Sequence, residues 1–441
     1  MKVLKFGGTS VGSAQRMKGV AELICKEKGN LVVLSAMSGT TNALLEIASY
    51  LRNGNPEGAT DASRRLEKKY LSHITELYST KEMQGSAREF IKSTFAFICS
   101  LGKEVFGSAE EKALVAQGEL MSSRMLADYL IEKGVKAVLL QAPDFLRKDS
   151  QGEPDQQYLK EKLPQILKAH KEAEVFITQG FICLGADGRP DNLGRGGSDY
   201  SASLFGAAIG ASEIQIWTDI DGMHNNDPRV VEGTRPVRHL HFEEAAELGY
   251  FGAKILHPTC VLPAKFANIP VRLLNTMDPS AQGTVINNES DPGTIKAVAA
   301  KDNITAISIK SSRMLLAHGF LRKVFEIFES YKTPIDMITT SEVGVSMSID
   351  DTTQLKGIVQ DLRRYGSVSV DSDMCIICVV GDMDWENVGF ESRAMDAMRD
   401  IPVRMVSYGG SNWNISFLIR EEDKERALKS LSKCLFNDAQ G

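Results

Sequence analysis

The chain has 441 residues, of which 43% are hydrophobic and 24% charged, and its formal net charge is −6. This composition suits two or three globular domains, and without a basic block nucleic acid is excluded as the expected partner. No segment reaches the ~18 apolar residues of a membrane span, and the N-terminus opens directly in a strand with no leader pattern. The expected location is therefore the cytoplasm, with no membrane partner. Cys25, Cys99, Cys183, Cys260, Cys375, Cys378 and Cys434 are scattered as reduced core thiols would be.

In chain order, Lys2 to Leu4 reads as the start of a strand, followed by Lys5-Phe6-Gly7-Gly8-Thr9-Ser10 and a helical stretch from about Ser13. A cation at a strand tip, then two glycines, then a helix N-terminus is a phosphate-binding arrangement. The glycines allow close approach and the free N–H groups favour negative charge. The pattern GxxxxGK[ST] occurs nowhere, and taken alone the same residues also fit an ordinary turn with a surface lysine. Leu31 to Leu34 reads as a second strand, and Ser35-Ala-Met-Ser-Gly-Thr-Thr-Asn42 after it as either a polar ligand loop or an N-cap turn before a helix from about Thr41. Ser86 to Leu101 and Leu114 to Glu132 carry helical spacing, the latter with Gly118-Glu119, a lone acid that is usually solvated. Val135 to Leu140, Val175 to Cys183 and Glu213 to Trp217 read as strands. Such alternation predicts an α/β domain, a mostly parallel sheet between helices, with ligands beyond the carboxyl ends of the strands.

Leu193-Gly-Arg-Gly-Gly-Ser-Asp199 precedes a helix from Tyr200 to Ile209, and Arg195 there can clamp a carboxylate. Trp217-Thr-Asp-Ile-Asp-Gly222 leads to Asn226-Asp-Pro-Arg229, and Phe251-Gly-Ala-Lys254 adds a lysine. A polyphosphate would require Lys5, Arg195, Arg229 and Lys254 to converge.

Asn287-Asn-Glu-Ser-Asp-Pro-Gly293 predicts a domain boundary near residue 290. Beyond it the chain repeats. Pro334-Ile-Asp-Met-Ile-Thr-Thr-Ser-Glu342 aligns with Pro402-Val-Arg-Met-Val-Ser-Tyr-Gly-Gly410. The helices Phe320 to Phe328 and Val388 to Met398 precede the two copies. The strands Val343 to Ile349 and Trp413 to Ile419, then helices near Thr353 to Arg364 and Asp423 to Leu435, follow them. Asp336 in the first copy is Arg404 in the second. An acid beside Thr340, Ser341 and Glu342 can hold an ammonium group where an arginine repels one, so a cationic amino acid is expected on the first copy. Cys375-Ile-Ile-Cys378 lies in an apolar strand, which turns residues i and i+3 to opposite faces, so no zinc is expected there. His239 and His241 read as ordinary surface histidines.

Lys5-Phe-Gly-Gly-Thr-Ser-Val11, Gly194-Arg-Gly-Gly-Ser-Asp199, Trp217-Thr-Asp219 with Asp227-Pro-Arg229, and Phe251-Gly-Ala-Lys254 together resemble aspartate kinase over nearly the whole chain. Gly319-Phe-Leu321 with Ile335 to Glu342 is similar to the lysine-sensitive, monofunctional class, without an attached homoserine dehydrogenase. The resemblance implies an amino-acid-kinase domain over 1–290 and two ferredoxin-like βαββαβ units of the ACT type, over 291–372 and 373–441. It implies transfer of the ATP γ-phosphoryl to the side chain of L-aspartate, the first step towards lysine, threonine and methionine, with ATP and Mg²⁺. By position the nucleotide site falls on Lys5, Gly7, Gly8, Thr9, Thr218, Asp219, Arg229 and Lys254. The aspartate site falls on Ser35, Thr41, Glu119, Arg195, Gly197 and Ser198, and Asp199 lies near the transferred phosphoryl. Lysine is the implied effector, near Met314, Phe320, Leu321, Asp336, Thr340, Ser341 and Glu342, with no protein ligand to a metal assigned. A homodimer or homotetramer through the ACT units is expected. His224 stands where the family often has tyrosine and is left outside the site, and Ala317 replaces a frequent serine, which implies an altered effector affinity.

The acceptor carboxylate is already ionised near neutral pH, so no general base is required and catalysis should rest on positioning and charge neutralisation. Lys5 and Lys254 are expected to stabilise the phosphoryl and leaving group, with Asp199 orienting Lys5 and the metal's waters. Arg195 and Glu119 are expected to hold the α-carboxylate and α-ammonium. A carboxylate or phosphate kinase of the same superfamily, and a non-catalytic amino-acid sensor, are the alternatives.

Overall fold

Four consecutive buried residues make β1 (Val3–Phe6) a strand covered on both faces, as a parallel sheet requires. The computed structural model describes residues 1–103, 105–194, 196–252, 258–311 and 318–436. From β1 the chain enters α1 (Ala14–Ile24), where Ser13 caps the first turn by accepting from the Arg16 N–H. It returns as β2 (Asn30–Leu34). A helical layer follows, comprising α2 (Thr40–Arg52), α3 (Pro56–Leu77), α4 (Lys81–Ser100) and α5 (Ser108–Glu132). Leu44, Leu66, Tyr70, Ile91, Phe95 and Leu126 join these helices into one core with Phe6 and Leu34 of the sheet.

Next come β3 (Ala137–Leu139), α6 (Gln156–Ala169), β4 (Val175–Gln179), the hairpin β5 (Ile182–Leu184) and β6 (Pro190–Asn192), α7 (Gly197–Ile209) and β7 (Ile214–Thr218). After β8 (His239–His241) and α8 (Phe242–Tyr250), α9 (Pro258–Phe266), β9 (Val271–Asn275) and β10 (Thr284–Asn287) follow. The chain forms two compact units, Met1–Met223 with Leu256–Asn288, and His224–Ile255 with Glu289–Gly441. In the first, the strands follow the order β3-β4-β2-β1-β7-β9-β10. Pairing is parallel from β3 to β9, and only β10 runs antiparallel to its neighbour β9.

In the second unit, β11 (Ile295–Lys310), α10 (Phe320–Ser330), β12 (Met337–Thr340), β13 (Gly344–Ile349) and α11 (Leu355–Leu362) form the first copy of the repeat. β14 (Ser367–Gly381), α12 (Phe390–Ala397), β15 (Val403–Ser407), β16 (Asn414–Arg420) and α13 (Lys424–Phe436) form the second. The sheet order is β12-β13-β11-β14-β16-β15, with the two long strands β11 and β14 antiparallel at its centre. Their ladder shifts register near Asn303, which has φ 60°, and the opposite strand carries Asp373 at φ 56°. Each copy buries its own apolar cluster, around Ile307, Val324 and Ile358 in one and Ile377, Phe417 and Leu431 in the other.

The fold is the expected one, a mostly parallel sheet between helices followed by the repeated unit. Three local expectations change. The apolar run from Val175 to Cys183 is two strands, broken at Gly180 and Phe181: the Gly180 N–H is shared between Leu34 O of β2 and the Glu119 carboxylate, and the Phe181 N–H bonds that carboxylate instead of a neighbouring strand. The strand expected over 135–140 shortens to β3. His241 is no ordinary surface residue: its ring accepts from the Glu243 N–H at the start of α8 and stacks on Trp413 at 4.4 Å. His239, half-buried, lies 3.4 Å from Asp291. Cys375 and Cys378 are both buried and face different partners, Asp302 and Ser416. Among the described residues no helix is long and apolar enough to cross a membrane.

Gly283 has φ 68°, and a Cβ there would overlap the Leu273 carbonyl oxygen where β10 folds back on β9. Gly29 has a similar φ of 80° but open space around it. Gly283→Ala should lower stability by about 2–4 kcal/mol and Gly29→Ala by about 1 kcal/mol. Equal urea midpoints for the two variants would contradict this packing.

Candidate active site

Lys5 is the third residue of β1, paired in register with Val33 of β2 and Ile216 of β7. α1 carries the chain from β1 to β2 on one side, while β7 is reached later on the other side, so the loops after β1 and β7 diverge. That is where a doubly wound sheet opens a crevice at its carboxyl edge. The Lys5 side chain is only 11% exposed, and its Nζ lies 2.6 Å from Asp199 Oδ1 in the first turn of α7. The contact is an ion pair more than an aligned hydrogen bond, since that oxygen lacks a well-oriented donor.

The loops around this pair are tied by backbone. Gly7 N–H donates to Trp217 O, and Ser38 N–H to Gly8 O. A Cβ on Gly8 would stand 2.7 Å from the Ala36 carbonyl oxygen, so only glycine permits the loops after β1 and β2 to approach this closely. Ser10 Oγ lies 2.7 Å from Thr276 Oγ1, linking the first loop to the end of β9. Thr9 is half-buried, and its carbonyl accepts from Arg16. Thr218, at the end of β7, donates to Asp219, which is exposed.

Glu119 departs most from its expected surroundings. It is 4% exposed. Its Oε2 accepts from the Gly180 and Phe181 N–H groups at 2.9 and 2.5 Å, and its Oε1 accepts from Ser198 Oγ at 2.7 Å. Burial pushes its carboxyl up from 4.5 to about 7, against the lowering effect of these three donors and of Lys5. The acid thus fastens α5 to the turn after β4 and to the start of α7. Gly197 is buried against Phe181 and Leu193. Gly196 ahead of it takes φ 71°, turning the chain into α7. The Ser35 carbonyl accepts from Ser122 Oγ of α5 at 2.8 Å. Thr41 is exposed in the first turn of α2, whereas its neighbour Thr40 is buried against Tyr70 Oη.

The structure therefore gathers Lys5, Gly7, Gly8, Ser35, Glu119, Gly197, Ser198, Asp199 and Thr218 at the carboxyl edge of the first unit. Arg195, Lys254, Met314 and Ala317 lie outside the described residues. Arg229 belongs to the second unit, exposed and paired with Asp227 at 2.7 Å. His224, also there, bonds Thr234 Oγ1. Gly180, Phe181 and Thr276 belong to this junction without a clear sequence signal: the first two fall in an apolar run that predicts a strand, and only the glycine after Gln179 signals a break.

The expected effector residues lie in the second unit. Phe320 is buried in the first copy's core, Leu321 is 37% exposed on α10, and Thr340, Ser341 and Glu342 are exposed. Asp336 has a side chain only 1% exposed, and its Oδ1 accepts from Lys301 Nζ and Tyr250 Oη, each at 2.7 Å. Burial raises its carboxyl above the ordinary range despite both donors. Lys301 and Tyr250 sit in segments with no sequence signal for this contact.

A raised Glu119 means that the folded state keeps a proton the unfolded chain releases. Its stabilising contribution is full below about pH 4.5 and is lost as pH rises through about 7. Glu119→Gln preserves two acceptor bonds and can donate to Ser198, so it should gain on wild type by up to about 3 kcal/mol between about pH 5 and pH 8. Parallel pH profiles of the two thermal midpoints would contradict the assignment.

Residues 1–275 match the family model described as the amino acid kinase family, and 377–435 match that of the ACT domain. Lysine-sensitive aspartokinase 3 of Escherichia coli (strain K12) is 33% identical over 450 residues, covering 98% of this chain and 99% of that protein. The crystal structure of E. coli aspartokinase III in complex with aspartate and ADP, in the R-state, superposes with a TM-score of 0.86 at 33% identity, over 99% of this chain and 100% of that one. The T-state structure of the same enzyme with lysine and aspartate gives 0.80 at 33% identity, over 99% of each chain. With the motifs, the sheet and the repeat all accounted for over its full length, the chain belongs to the aspartokinase family, the ATP-dependent kinases of aspartate.

Proposed function

We propose that this chain transfers the γ-phosphoryl of ATP to the side-chain carboxylate of L-aspartate at the carboxyl edge of its parallel sheet, and that free lysine restrains it through Asp336. The observation that carries the first part is the nearly buried Lys5–Asp199 pair beside two glycines whose backbone borders the crevice. An anionic nucleophile must approach a polyanion there, and an ammonium fixed in advance lowers that repulsion without reorganisation. Lys5, with Lys254, takes the charge developing on the phosphoryl and the leaving phosphate. Asp199 positions Lys5. Gly7, Gly8, Thr9, Thr218, Asp219 and Arg229 serve the nucleotide.

Arg195 holds the α-carboxylate of aspartate, with Ser35, Thr41, Gly197 and Ser198 around the substrate. Glu119 does two things: it anchors the turn after β4 and the start of α7, and it supplies negative charge toward the α-ammonium. Its raised pKa ties the second role to pH, because the carboxylate form gains population above about 7. Among the described residues no group of three or more His, Cys, Asp or Glu side chains could cage a metal. Mg²⁺ would enter with the nucleotide, Asp199 is the residue that would hold it in place, and the ion would neutralise phosphate charge.

Asp336 holds the effector ammonium, with Met314, Phe320, Leu321, Thr340, Ser341 and Glu342 around it. Pairing of ACT units between chains would make the working form a homodimer or homotetramer.

Lys5→Ala should reduce kcat by about a hundred- to a thousandfold in a coupled ADP-release assay; near-normal turnover would remove Lys5 from the reaction. Glu119→Ala and Arg195→Ala should raise the aspartate KM much more than the ATP KM, and equal rises would contradict the substrate assignment. Asp336→Ala should relieve inhibition by lysine, so inhibition at the wild-type concentration would place the effector elsewhere.

A further inference from the structure

The carboxylate assigned to a diffusible ammonium already carries one of the chain's own. Lys301 Nζ lies 2.7 Å from Asp336 Oδ1 and 2.9 Å from Asp350 Oδ2. It also stands 4.3 Å from the centre of the Tyr250 ring, whose hydroxyl donates to the same Asp336 oxygen. Asp336 is almost wholly buried, yet its Oδ2 has no hydrogen-bond partner among the described residues. A buried carboxylate oxygen without a donor is unfavourable, so the site lacks one donor even with Lys301 in place.

The second copy of the repeat shows the same device with the charges exchanged. Arg404, which aligns with Asp336, pairs with Asp371 at 3.1 Å and also donates to Ser308 Oγ. Asp371 precedes the left-handed Asp373 by two residues in β14, as Lys301 precedes the left-handed Asn303 in β11. In both copies the long central strand, just before it twists, supplies a charge to the short edge strand, at Arg404 within β15 and at Asp336 immediately before β12. In the second copy the edge strand's charge is a guanidinium shared between two acceptors. In the first it is a carboxylate with one oxygen left over.

We propose that Lys301 is a resident competitor for the effector: its ammonium occupies Asp336 until a free amino acid with a side-chain ammonium displaces it, so Lys301 sets the concentration at which that effector acts. This rests on the reading of Asp336 as the effector carboxylate. The free ligand has the chemistry of the group it replaces and brings two advantages. Unlike Lys301, which shares its donors with Asp350, its ammonium is free to serve both oxygens of Asp336, and its α-amino and α-carboxylate groups add contacts of their own, with the exposed Thr340, Ser341 and Glu342 as their partners. Released Lys301 keeps Asp350, which is 40% exposed, as its counter-ion, so displacement does not strand a buried cation. Exchange also frees the hydroxyl of Tyr250, the last residue of α8 and four positions before Lys254.

The test compares lysine inhibition curves and lysine-dependent thermal shifts for wild type, Lys301→Met, Lys301→Arg and Asp336→Asn. Lys301→Met should be inhibited at about tenfold lower lysine, while Lys301→Arg, which keeps the cation, should stay within about twofold of wild type. Lysine should also raise the melting temperature of Lys301→Met by more than it raises that of wild type. A merely structural Lys301 would lower the melting temperature without that recovery. Should Lys301→Met fold poorly, Lys301→Gln keeps a donor to Asp336 without the charge and should shift in the same direction. An unchanged or higher half-inhibitory concentration in the Met or Gln variant, with Asp336→Asn insensitive to lysine, overturns the competitor role alone. Wild-type inhibition of Asp336→Asn overturns the effector reading beneath it.

Discussion

A lysine ammonium on a central strand of a parallel sheet, only 11% exposed, is costly unless a carboxylate meets it. The pairing of Lys5 with Asp199 at 2.6 Å meets that requirement, and much of the first unit is arranged to keep it. Asp199 can reach Lys5 only because Gly196 turns the chain through a positive φ into α7. The start of α7 stays in place because Ser198 is bonded to Glu119, and Glu119 is fixed by two N–H groups of the turn after β4. Sheet, α5 and α7 therefore share one polar junction, with a cation and two acids in near-dry surroundings. Such a junction is costly to build and rigid once built. It presents a charge at a defined place before any substrate arrives, as phosphoryl transfer between two anions requires.

The second unit uses the same physics for another end. Its long strands each place a charge opposite an edge strand, Lys301 with Asp336 and Asp371 with Arg404. Duplicated sequence thus yields two internal ion pairs of opposite polarity, and only the polarity with an acid on the edge strand suits an ammonium ligand. On the reading proposed above, Lys301 lets the sheet fold without a ligand, because it supplies a cation to the buried, half-satisfied Asp336.

Much of this was legible in residue order. The Lys5 to Ser10 turn, the glycines before Asp199 and the repeat after residue 290 each carry a local signature, a special backbone or a period, that survives without neighbours. What was not legible depended on contacts between distant segments. Glu119 looks like any helical acid until α5 is packed against the turn after β4. The run from Val175 to Cys183 looks continuous because its break is enforced by an acceptor that lies far back in the chain. Lys301 lies in a stretch of β11 where no alternation marks it, and nothing near it in sequence announces Asp336 or Tyr250. His241 likewise owes its role to Trp413, which no local pattern ties to it.

The central claim is that a charge-neutralised crevice passes a phosphoryl group to the aspartate side chain. Its most direct test is the product of the purified protein with ATP, Mg²⁺ and L-aspartate in the presence of hydroxylamine, which captures acyl phosphates as hydroxamates. The account predicts aspartyl hydroxamate formed in equal amount to ADP, with neither formed when aspartate is left out. ADP release that is indifferent to aspartate, or that yields no hydroxamate, would contradict it.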